Sequence, residues 1–182
     1  GKAGFFAVYG GGPPRESLTA ELGKYFLGDQ VSFKPWPACR GTHPYIEAAL
    51  TLREGLDLDE IVSIEAETGP IQEMLIRPQP AKAAPARAIE AKFSIPYTVA
   101  AALIDGEVTL ATFLPQRLED QATRDLAIKV VERRNPDWGR AEAASGSLTV
   151  LLRDGTTRRR EVPQAAGHPD RDISDSDLIS KF

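Results

Sequence analysis

Between Ser94 and Gly106 the chain writes a helix with almost no polar residue after its first turn: Ile95, Pro96, Tyr97, Thr98, Val99, three alanines, Leu103 and Ile104. Ser94 suits the N-cap, Pro96 the first turn and Gly106 the C′ position. A helix that is apolar nearly all round offers no face to water, so it should lie buried beneath other elements. The rest of the chain supplies candidates. A helix from Pro44 to about Glu54 has a broad apolar face of Tyr45, Ile46, Ala48, Ala49, Leu50 and Leu52, and Gly55 stops it. Ile61 to Ala66 alternates and reads as a strand with one wet face. Further helices are expected over about Leu18 to Phe26 and Gln121 to Ala127, with a strand over Ile128 to Glu132. Leu148 to Leu152 and Thr156 to Val162 form a hairpin around Asp154-Gly155. Residues 77–90 hold three prolines and five alanines and read as a surface loop. This mixed order with an antiparallel ending predicts an α+β fold. It is a two-layer sandwich of a mostly antiparallel sheet with helices on one face.

The densest chemistry lies in Lys34-Pro35-Trp36-Pro37-Ala38-Cys39-Arg40-Gly41-Thr42-His43-Pro44, which holds one of only two histidines and the single cysteine. Proline follows Lys34, Trp36 and His43, which disfavours the α region at each and makes the segment a stiff strap. Pro44 reads as the first helical residue, leaving His43 near the N-cap. One reading has the strap deliver two cations and an imidazole to a helix N-terminus, where carboxylates bind well. The other has a proline-rich connector whose histidine only caps.

Charge and composition narrow the partners. A net charge of −4 argues against nucleic acid or an anionic membrane as the general partner. Arg153, Arg158, Arg159 and Arg160 flank the hairpin turn and read as a solvated strand face. No apolar run approaches the ~20 residues that span a bilayer. One cysteine excludes an internal disulfide, which fits a cytoplasmic location. Gly10-Gly11-Gly12 is followed by Pro13-Pro14 where a phosphate loop needs Lys and Ser or Thr, so no nucleotide site is expected there. No set of His, Cys and carboxylates has metal-ligand spacing. His168, ahead of Pro169, reads as structural.

The strap followed by an Ala/Leu-rich helix resembles the signature of the MmgE/PrpD family, which includes 2-methylcitrate dehydratases, cis-aconitate decarboxylases and iminodisuccinate epimerases. Ala91-Lys92-Phe93-Ser94-Ile95-Pro96-Tyr97 resembles that family's second landmark. Gly4-Phe5-Phe6-Ala7-Val8-Tyr9-Gly10-Gly11 and Ser180-Lys181-Phe182 also fit, so the resemblance spans nearly the whole chain. It implies a small α+β domain inserted into a large helical one. The expected division is a stub and crossover over 1–17, the small domain over 18–165 and a return crossover over 166–182.

The resemblance also implies chemistry in which a proton is removed next to a carboxylate at the interface of the two domains, without metal or cofactor. The first expectation is a hydro-lyase acting on a 2-methylcitrate-like di- or tricarboxylate. Decarboxylase, epimerase and a non-catalytic dimerisation module are the alternatives. Lys34 and Tyr97 carry over as substrate-facing catalytic groups. His43 could act as acid or base, and Arg40 suits bidentate carboxylate binding. Cys39, Lys92 and Ser94 are further substrate-site candidates. Cys39 also reads as a small packing residue, and Tyr97 as a core aromatic with a backbone partner. Lys34, His43 and Tyr97 are expected to share one concave face. The implied partners are a small polycarboxylate, the helical domain and a second copy in a homodimer.

Overall fold

The structure, a computed structural model, describes residues 4–11 and 19–180. The crossover glycine Gly12 and prolines Pro13 and Pro14, and the closing Lys181-Phe182, lie outside the described residues.

The chain divides into two compact units, residues 1–31 and 32–182. In the first, α1 (Phe5–Tyr9) is followed, after the undescribed stretch, by turns over residues 19–24 and a 3-10 turn, Leu27–Gln30. The helix expected over Leu18 to Phe26 is therefore corrected. Glu21 has φ +53 and Gly23 φ +78, and left-handed residues two apart cannot sit inside an α-helix.

The second unit is built on a four-stranded sheet of order β2-β1-β3-β4. In chain order its elements are α2 (His43–Leu52), β1 (Ile61–Thr68), α3 (Glu73–Ile76), α4 (Gln79–Ala83) and α5 (Ala88–Lys92). Then follow α6 (Ile95–Asp105), α7 (Pro115–Leu118), α8 (Gln121–Ala127), β2 (Val130–Arg134), β3 (Gly146–Leu152), β4 (Thr157–Val162) and α9 (Asp175–Ser180). β1 pairs antiparallel with β3, and β3 with β4, while β1 and β2 are parallel. A parallel pair needs a long crossover, and α3 to α8 supply it. The α+β sandwich and its mostly antiparallel sheet are thus present.

Register explains the two faces. Ile64 lies opposite Val130 and Val150, and Ala66 opposite Leu148, and all five are buried. Their neighbours Glu65 and Val131 are exposed, and Glu67 pairs with Arg159 on that wet face. α6 fills the layer over the buried face: every residue from Ile95 to Leu103 is buried, among α2, α4, α8 and β2. Ser94 Oγ caps it by accepting from Tyr97 N–H, and Gly106 closes it at φ +76. Truncating a buried leucine such as Leu103 would cost about 2–5 kcal/mol.

Two boundaries differ from expectation. Residues 77–90 are not a loop but hold α4 and the start of α5. Pro78 and Arg87 are extended N-caps, and Glu90 reaches back to accept from the Arg87 backbone N–H. The strand expected from Ile128 begins at Val130, because Ile128 is the C-cap of α8. No helix among the described residues is long and apolar enough to cross a membrane.

Candidate functional site

The strap opens the second unit beside the segment that follows β4. Phe33 N–H donates to Gly167 O at 2.8 Å, one residue ahead of Lys34. Ala38 N–H donates to Trp36 O at 2.9 Å, which bends the strap at Pro37. A 3-10 turn, Arg40–Thr42, then leads into α2, and Thr42 Oγ1 donates to Cys39 O. His43 is the first residue of the helix rather than its cap.

His43 is fully buried, and Trp36 stands edge-on to it at 5.3 Å. Its Nε2 lies 3.4 Å from Ala38 O and its Nδ1 3.3 Å from Arg40 Nη1. A neutral ring with the proton on Nε2 satisfies both, donating to the carbonyl and accepting from the guanidinium. Burial, then the Arg40 and Lys34 charges, push its pKa down to about 3. The imidazole is therefore uncharged at neutral pH. It can accept a hydrogen bond but holds no proton to give as a cation.

Arg40 faces the protein's own backbone. Nη1 donates to Ala166 O at 2.7 Å and Nη2 to Ala165 O at 2.9 Å. Its Nε is buried and unpartnered. Lys34 is exposed, within electrostatic reach of His43.

The second landmark adjoins the strap. Cys39 N–H donates to Lys92 O at 2.9 Å, stitching the strap to the end of α5. Lys92 Nζ sits over the Phe113 ring at 5.4 Å. Ser94 Oγ donates to Lys82 O, and Lys82 Nζ donates to Phe93 O. Lys82 is also within electrostatic reach of Cys39, and burial lowers its pKa. Sequence reasoning missed Lys82 by assigning its segment to a loop. The available signal was a lone lysine in a run of alanine and proline. The cations Lys34, Arg40, Lys82 and Lys92 thus surround the strap and the α5–α6 elbow.

Tyr97 reaches the elbow through Phe113, ring centroids 6.3 Å apart, but its hydroxyl is enclosed. It donates to Thr112 O at 2.7 Å, and burial pushes its pKa up to about 12. In this arrangement it ties α6 to the 109–117 segment. Beside the strap, on its Trp36 side, a groove of about 980 Å³ is lined by Trp36, Leu50, Val108, Ile173 and Leu178. Among the described residues no group of three His, Cys, Asp or Glu is placed to hold a metal ion.

The model of the MmgE/PrpD C-terminal domain matches residues 36–182. The chain belongs to the MmgE/PrpD family. Two relatives are the cis-aconitate decarboxylases of Mus musculus, 28% identical over 99% of this chain, and of Homo sapiens, 27% identical over 100%. This MmgE/PrpD chain spans 38% of the length of each. Cys39, Arg40, His43, Lys92, Ser94 and Tyr97 fall inside the family match, and Lys34 lies two residues before it.

Proposed function

We propose that this domain supplies the cationic part of the substrate site of a cytoplasmic lyase acting on a small di- or tricarboxylate. The observation that carries the reading is the three lysines, Lys34, Lys82 and Lys92, along the strap and elbow, next to an uncharged His43. Removing a proton beside a carboxylate builds negative charge, and fixed cations stabilise it without reorganising. Lys34 is assigned to a substrate carboxylate, with Lys92 and Lys82 extending the positive field. Cys39 and Ser94 shape the elbow. His43 and Tyr97 hold the strap and α6 in register, and the base that takes the proton is assigned to the helical domain of the parent enzyme.

The first reading of the reaction is dehydration of a 2-methylcitrate-like substrate, in which a C–H proton passes to the base, the C–O bond breaks, and an acid assigned to the helical domain protonates the departing hydroxyl to water. The second is decarboxylation of cis-aconitate, in which carbon dioxide leaves and a proton returns to carbon. The two decarboxylase relatives favour the second. The parent is further proposed to be a homodimer that uses no nucleic acid, membrane, metal or cofactor.

The test uses the complete parent enzyme with 2-methylcitrate and cis-aconitate in turn, with products resolved by NMR. One substrate should be consumed. Lys34→Ala should lower kcat/KM by about 10- to 150-fold, the equivalent of losing one charge-assisted hydrogen bond. Turnover of neither substrate, or an unaffected Lys34→Ala, would overturn the reading.

A further inference from the structure

The seam between the strap and the departing segment is held by groups the proposed chemistry does not use. Residues 163–167 follow β4 without regular structure, yet their polar groups are almost all engaged. Arg40 bridges the carbonyls of Ala165 and Ala166. Glu47, one helical turn into α2, accepts from Ala166 N–H with Oε2 and pairs with Arg171 through Oε1. Arg171 Nη1 donates to Gln164 O, and Ala165 N–H donates to Ala144 O. Three consecutive residues, Gln164 to Ala166, are thus clamped by side chains rooted in the strap, in α2 and in the segment itself.

The close approach also depends on a glycine. Gly167 has φ +81, and a Cβ there would meet Phe33 O at 2.5 Å, far inside contact distance. Any side chain would push Phe33 away and break its hydrogen bond to Gly167 O. Lys34 is the next residue. Its backbone is therefore set in place by the departing segment, which Arg40 and Glu47 hold.

The geometry points to Arg40, Glu47 and Gly167 as positioning residues that aim Lys34 and do not themselves touch the substrate. This rests on the assignment of Lys34 to a substrate carboxylate made above. Arg40 is the informative member, because its residue type suggests a carboxylate ligand while its hydrogen bonds go to Ala165, Ala166 and His43.

A double-mutant cycle on the complete parent enzyme separates the two roles, read as the calorimetric affinity for 2-methylcitrate and for cis-aconitate, taking whichever the wild type binds, with melting temperature followed in parallel. Lys34→Ala should weaken binding by about tenfold or more. Arg40→Lys keeps the charge but loses the fork that spans two carbonyls, and should weaken binding several-fold. If Arg40 acts through Lys34, the double variant should bind within about twofold of Lys34→Ala alone. Gly167→Ala and Glu47→Gln should behave alike. The glycine contributes no side chain to any ligand, and the glutamine variant keeps an oxygen for Ala166 N–H if the other variants fail to fold. Losses that multiply in the double variants would overturn this inference and leave the functional reading standing. No effect of Lys34→Ala, or no binding by the wild type, would overturn both.

Discussion

Acidification should unfold this domain through His43, and the size of the effect can be worked from its surroundings. The imidazole is fully buried, and its pKa falls from 6.5 to about 3. A lowered folded-state pKa means the fold prefers the neutral ring, whereas the unfolded chain takes up the proton below about 6.5. Stability from this group is complete above that value and is lost as pH falls toward about 3. Each pH unit in that window is worth roughly 1.4 kcal/mol, so going from about pH 6.5 to pH 5 should remove about 2 kcal/mol. Asp120 and Asp154, whose pKa values are lowered by hydrogen bonds from Thr123 and Thr156, act at more acid pH than that interval. The assay is urea unfolding at a series of pH values for the wild type and His43→Gln. The glutamine amide can replace the bond to Ala38 O but cannot titrate. The variant should be less stable at neutral pH by about 1–3 kcal/mol, for the imperfectly replaced bonds, and should lose the pH slope. A variant that keeps the wild-type slope, or an imidazole that titrates at its ordinary value by NMR, would refute the reasoning.

Three further outcomes are expected. Tyr97→Phe leaves Thr112 O without its 2.7 Å donor, so the domain should lose about 1–3 kcal/mol in denaturant titration; an unchanged midpoint would argue against the anchoring role. Gly106→Ala forces a φ of +76 on alanine and brings its Cβ to 3.1 Å from the Arg53 guanidinium, which should cost about 1 kcal/mol or more in thermal melts. Removing residues 1 to 9, which include the exposed Phe5, Val8 and Tyr9, should lower oligomer content by light scattering while the sheet stays folded; a strict monomer before truncation, or association unchanged by it, would refute this.

Much of the fold was legible because the signals were local. The apolar run Ile95–Leu103 demanded burial and received it, and Ser94 and Gly106 marked its ends as caps. The helix Gln121–Ala127 and the hairpin around Gly155 follow from capping and turn chemistry. What failed depended on tertiary context. The Pro/Ala-rich stretch became α4 and α5 because Ala83, Pro85 and Ala91 found core to pack on, which composition does not reveal. The Leu18 to Phe26 segment has helical composition but reverses direction at Glu21 and Gly23. The strap was recognisable as a place of interest, yet the backbone partners of its Arg40 lie more than a hundred residues away, at Ala165 and Ala166. No spacing rule announces them.

Residue type names a capability, and the partners decide whether that capability is available to a ligand. Arg40 already donates to the Ala165 and Ala166 carbonyls, and turning those N–H groups to a substrate carboxylate would cost about 1–3 kcal/mol for each buried acceptor left unpaired. A charge-assisted bond to the carboxylate returns about 1.5–3 kcal/mol, so the exchange gains little. His43 faces the same balance with Ala38 O and Arg40, and Tyr97 with Thr112 O. Lys34 differs in being exposed at the edge of the seam. On the reading proposed above, Arg40, His43 and Tyr97 are the frame and Lys34 the contact.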